Sequence, residues 1–119
     1  MPQVFLAGKD WHARALLRAQ LIEEGVKVEA YETVEEALAQ LELQSVLPAL
    51  LIADISSSDH PSADVERLTI WARRIPIWII ASHTSSVKGG LEGHEFEILL
   101  FRPVDMGRLV EQIRQRLSR

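Results

Sequence analysis

Hydrophobic residues fall in short continuous runs, separated by longer stretches where they recur every three or four positions. Val4-Phe5-Leu6-Ala7, closed by Gly8, is too short for a helix and reads as a strand buried on both faces. Ala13, Leu17 and Leu21 follow at four-residue spacing. Leu16 widens this stripe, and Arg14, Arg18, Glu23 and Glu24 lie largely outside it, which predicts an amphipathic helix stopped by Gly25. From Val26 to Tyr31 the chain alternates, with Val26, Val28 and Ala30 set against Lys27 and Glu29, the pattern of a half-buried strand. Thr33 with Glu36 three residues on is a capping box, opening a helix whose stripe is Val34, Ala37, Leu38 and Leu41.

Leu50-Leu51-Ile52-Ala53 is a second continuous run and ends at Asp54, and Ser56 to Pro61 has loop composition. Val65, Leu68, Ala72 and Ile75 mark a third helix before Pro76, and Ile77 to Ala81 is the most apolar strand of the chain. The segment from Ser82 to Gly93 holds three glycines and only Val87 and Leu91 to pack. Each glycine inside a helix costs about 1 kcal/mol relative to alanine, so a helix here is expected to be short or frayed. Phe96 to Phe101 reads as a fifth strand. Asp105 caps the last helix, with Val104 and Leu109 placed as a staple and Leu109, Ile113 and Leu117 as its buried face. Strands alternating with helices predict a parallel sheet covered on both sides. The expected architecture is one domain over residues 1–119, a flavodoxin-like three-layer α/β/α sandwich around a five-stranded parallel sheet. Ligands of such sheets sit at the carboxyl ends of the strands. Those ends are Gly8-Lys9-Asp10, Glu32, Asp54-Ile55-Ser56, Ala81-Ser82-His83 and Arg102-Pro103.

Composition narrows the function classes. The chain has no cysteine, so disulfides, thiolate metal sites and thiol chemistry are excluded. A formal charge of −4 argues against sequence-independent nucleic-acid binding. No apolar run approaches a membrane span and no secretory leader is visible, which gives a cytoplasmic expectation. His12, His60, His83 and His94 lack metal-ligand spacing, and Gly89-Gly90 is not a nucleotide fingerprint. Ser82, His83 and Asp54 have no strained elbow or oxyanion hole around them, so no hydrolytic triad is expected and the chain is not read as an enzyme.

Five alternating units, Asp54 ending the third strand, a small or hydroxyl position ending the fourth and Arg102-Pro103 ending the fifth together resemble the receiver domain of two-component response regulators. The resemblance covers nearly the whole chain. It implies that Asp54 is the phosphoacceptor candidate, that an acidic pair after the first strand would hold Mg²⁺ with it, and that a Ser/Thr and a Lys would contact the phosphate. This sequence departs at most of those positions. Gly8 and Lys9 stand where the acids belong, or Lys9 and Asp10 after a one-residue slip. Ala81 takes the hydroxyl position with Ser82 next to it, and Arg102 takes the lysine position.

Gly8, Lys9, Asp10, Ser56, Ala81, Ser82 and Arg102 therefore read as a vestigial pocket around Asp54. Mg²⁺ binds through carboxylates, so weak Mg²⁺ binding at best and no other cofactor are expected. Lys9 is the candidate for a built-in cation paired with Asp54, Trp11 for a cover over the pocket, and Trp78 for the core. Trp71, with Val87 and Leu91, is the candidate contact for a partner protein. The resulting expectation is a pseudo-receiver that binds another signalling protein, a histidine kinase or an output domain, without phosphorylation. Its alternatives are an active receiver phosphorylated on Asp54 and, more distantly, a mononucleotide- or flavin-binding domain.

Overall fold

The computed structural model describes residues 2–82 and 95–118. Five parallel strands, β1 (Gln3–Gly8), β2 (Lys27–Tyr31), β3 (Leu50–Asp54), β4 (Ile77–Ala81) and β5 (Ile98–Phe101), form one sheet in the order β2-β1-β3-β4-β5. Helices α1 (Trp11–Glu23), α2 (Val34–Leu43), α3 (Pro61–Trp71) and α4 (Met106–Leu117) connect and cover it. The flavodoxin-like arrangement expected from the alternation is present.

Strand residues alternate strictly between two cores, because successive side chains leave a pleated strand on opposite faces. Phe5, Ala7, Leu51, Ala53, Ile77 and Ile79 pack with α2 and α3. Val4, Leu6, Leu50, Ile52, Trp78 and Ile80 pack with α1 and α4. Trp78 is buried as expected, and its indole N–H donates to Glu97 Oε2 at 2.7 Å, so no polar atom of the ring is stranded.

The helix caps follow the sequence signals. Asp10 accepts from the Ala13 amide and Asp105 from the Arg108 amide. Thr33 Oγ1 accepts from the Glu36 amide at 3.1 Å, while the return contact of the box runs from the Thr33 hydroxyl to Glu36 Oε1. Gly25 closes α1 at φ 82, a conformation that side chains with a Cβ rarely adopt.

Three expectations are corrected. Leu16 does not widen the buried stripe of α1; it is 48% exposed, on the side away from Leu17 and Leu21. The last strand begins at Ile98 rather than Phe96, although Glu97 N already donates to Ile77 O. Trp71 is only 8% exposed and belongs to the α2/α3 core, with the Arg74 guanidinium 4.4 Å from its ring centre. It lies three residues after Leu68 and four before Ile75, which places it on their face of the turn, and the outward residue there is Ile70. Trp71 is therefore a core residue and not a partner contact.

Candidate functional site

Asp54 ends β3, with Gly8 of β1 in register on one side and Ile80 of β4 on the other. Counting along each strand puts Gly8, Asp54, Ile80 and Arg102 on the α1/α4 side. The next residue in β1, Lys9, turns to the α2/α3 side. That parity decides which cation meets the carboxylate.

Arg102 follows β5 directly, and its amide donates to Ala81 O at 2.9 Å. Its side chain crosses back over β4, where Ile80 contributes only an apolar surface. Arg102 Nη2 then reaches Asp54 Oδ2 at 2.5 Å and Asp10 Oδ2 at 3.5 Å. The Asp54 side chain is 14% exposed. Its other oxygen is also committed: Oδ1 accepts from the Ser56 amide at 3.0 Å and the Ser56 hydroxyl at 2.5 Å. Asp10 has its Oδ1 on the Ala13 amide as the cap of α1. Arg14, one helical turn further on, donates from Nη1 to the carbonyl of Gly8.

The expected Lys9–Asp54 pair is not formed. Lys9 Nζ instead donates to both oxygens of Asp59 at 2.8 and 3.0 Å, in a second, acidic cleft bordered by Glu32, Glu35 and Asp64. The hydrogen bond to Asp59, and then its charge, raise the Lys9 pKa, and the same contact lowers that of Asp59. Trp11 does not cover the site either. It is 61% exposed, stacks on His12 and lines neither cleft.

Of the other sequence-stated candidates, Ala81 is fully buried and faces α2/α3, and Ser82 lies just past the strand. Val87, Leu91, His83, His94, Gly89 and Gly90 lie outside the described residues. Arg14, which the sequence places only outside the apolar stripe of α1, is a further member of the site. Its signal was there, since it stands four residues after Asp10 on the same helical face.

The donor set does not fit a divalent cation. Mg²⁺ needs carboxylate oxygens in near-octahedral array. Here both oxygens of Asp54 are taken, a guanidinium occupies the space between Asp54 and Asp10, and Gly8 and Lys9 supply no anion. A Cβ on Gly8 would stand 3.2 Å from Asp54 Cβ, so even a short side chain there presses on the strand end. Among the described residues no group of three or more His, Asp or Glu is placed to hold a metal. Beneath the ion pairs lies a pocket of about 70 Å³ between α1 and α4, floored by Leu6, Leu17, Ile52 and Leu109.

No protein-family model matches the sequence, and no curated protein matches it. Solved structures do match in shape. A CheY-like receiver domain protein from Methanospirillum hungatei is similar at TM-score 0.80 and 19% identity, over 99% of this chain and 94% of that one. A response regulator receiver protein from Burkholderia phymatum is similar at TM-score 0.78 and 20% identity, over 99% and 96%. The signal receiver domain of a putative Luxo repressor protein from Vibrio parahaemolyticus is similar at TM-score 0.77 and 20% identity, over 98% and 90%. With the strand order and the full-length overlay, these likenesses establish that the chain has the fold of response regulator receiver domains.

Proposed function

We propose that this chain is a receiver-like module of a two-component pathway that signals without phosphorylation of Asp54. Its work is to bind another signalling protein in the cytoplasm, a histidine kinase or an output domain, and it is not an enzyme. One observation carries the reading: the Arg102 guanidinium sits on Asp54 Oδ2, while Ser56 holds Oδ1. Phosphoryl transfer to a carboxylate needs a free oxygen as nucleophile and a cation on the phosphoryl oxygens. Arg102 neutralises the nucleophile instead, and Asp10, the one acid after β1 that remains beside Asp54, is turned to the same guanidinium. The cleft is thereby held in one charge-balanced state, with Asp10 and Asp54 against Arg14 and Arg102.

No helix among the described residues is long and apolar enough to cross a membrane. The two clefts at the strand ends, of about 70 and 90 Å³, are well below the roughly 300–1,000 Å³ of small-molecule sites, which counts against a mononucleotide or flavin bound there. The test is incubation with acetyl phosphate and Mg²⁺, read by intact mass. The reading requires unchanged mass. A phosphorylated species that disappears in Asp54→Asn establishes the active receiver in its place.

A further inference from the structure

Helix α1 is apolar on two sides. Leu17 and Leu21 face the sheet and are buried. The outward side exposes Trp11, Leu16 and Ile22 at 61%, 48% and 45%, and Ala15 and Ala19 between them are exposed as well. At 3.6 residues per turn, Trp11, Ala15, Ala19 and Ile22 form one strip along the helix. Leu16, His12 and Glu23 border that strip on one side and Arg18 on the other. Isolated exposed apolar residues are ordinary, but a contiguous strip of four on one helix face, with Leu16 at its border, marks an interaction surface.

The charges say what covers it. The first turn of α1 has no acidic residue and the last turn no basic one; His12 stands near the N-terminus, Glu23 ends the helix and Glu24 caps it. Acids at a helix C-terminus are opposed by the helix's own dipole, so this placement works against α1 in isolation. An antiparallel helix with the same sequence reverses the relation for Glu23, because it brings its own N-terminus and imidazole beside that acid; Glu24 faces the other way, toward Arg114 of α4.

We propose that α1 pairs antiparallel with α1 of a second copy of this chain, about a two-fold axis between Ala15 and Ala19. Ala15 of one copy then faces Ala19 of the other, and two methyl groups let the helices approach closely. Trp11 lies over the Ile22 of the second copy, the two Leu16 side chains meet, and His12 donates toward Glu23 across each end. Every contact occurs twice, as an isologous interface requires. Arg18 stays solvated on the far border. One pair of 13-residue helices is smaller than a standard interface, so the dimer is weak and reversible. The inference is independent of the chemistry at Asp54.

Sedimentation velocity of the full chain over a concentration series tests it, with Ala19→Glu, His12→Glu, Glu23→Lys and the last two combined. A reversible dimer is expected, abolished by Ala19→Glu at an unchanged melting temperature. His12→Glu and Glu23→Lys each favour the isolated helix through its dipole, yet each should weaken association several-fold, and the double variant should restore it with the charges exchanged. A wild-type chain that stays monomeric throughout, a dimer indifferent to Ala19→Glu, or a double variant no tighter than the singles overturns the proposal.

Discussion

Arg102 Nη2 meets Asp54 Oδ2 at 2.5 Å across the full width of β4, so the ion pair ties the end of the third strand to the end of the fifth. It is a charge-assisted contact to a largely buried carboxylate, from a guanidinium that is a third exposed. Solvent screening reduces its worth, and removing Arg102 leaves Asp54 with Ser56 alone. Arg102→Ala is expected to destabilise the fold by about 1–2 kcal/mol in urea denaturation. A double-mutant cycle with Asp54→Ala should return a coupling of about 1 kcal/mol.

The metal site should be recoverable only on the correct face of the sheet. Lys9→Asp places a carboxylate beside Asp59, on the α2/α3 side of a cleft that Asp54 also borders, so any Mg²⁺ bound in isothermal titration should be held by the Asp59 side and persist in Asp54→Asn, with the Arg102–Asp54 pair intact. Gly8→Asp combined with Arg102→Lys adds an acid opposite Asp54 and removes the guanidinium fork, and this pair should bind Mg²⁺ measurably. The close approach at Gly8 makes that variant less stable, by about 1–3 kcal/mol for overpacking.

The tryptophans separate by burial. Trp71→Ala should cost about 3–5 kcal/mol of stability, as large core truncations do. Trp11→Ala, in dilute solution, should stay within about 0.5 kcal/mol. Acrylamide should quench the fluorescence of Trp11 and leave Trp71 and Trp78 shielded, which single-tryptophan variants would show directly.

The pair on the other side of the sheet titrates with a defined sign. Lys9 depresses the Asp59 pKa from its ordinary 3.8, first by hydrogen bonding and then by charge. The stabilisation is therefore present above that value and lost as pH falls through the lower, folded one. Lys9 is raised from 10.5, so its share is present below that value and lost as pH rises through the higher, folded one. Carboxyl NMR of Lys9→Met should show Asp59 moving upward toward its ordinary value. An Asp59 curve unchanged by that substitution would remove Lys9 as the cause.

Period-two and helical spacing made the sheet, its helices and the caps at Thr33 and Asp105 legible from the sequence. What failed was assignment of faces. Leu16 reads as core because α1 carries apolar residues on two sides, so the spacing alone does not say which side is buried. Trp71 lies off the stripe of Val65, Leu68, Ala72 and Ile75 and so reads as a partner contact, although Leu68 and Ile75 bracket it at helical spacing. Lys9 was paired with Asp54 on closeness to the strand end, yet counting from Leu6 through Gly8 shows that Lys9 leaves on the opposite face. The same count from Leu100 to Arg102 identifies the true partner. The reach of the arginine over β4 depends on side-chain geometry that periodicity does not carry. Asp10 hides its role for a related reason, since as a helix cap it looks structural while its second oxygen faces Arg102.

The account rests on a carboxylate already satisfied by protein cations and donors. A Mg²⁺ titration followed through the backbone amide resonances of Gly8, Ile55 and Ser56 tests this most directly. With Arg102 and Ser56 in place, these resonances should show no saturable shift at millimolar magnesium. A saturating shift at these amides in the wild-type chain, lost in Asp54→Asn, would show that Asp54 gathers the metal after all and would contradict the account.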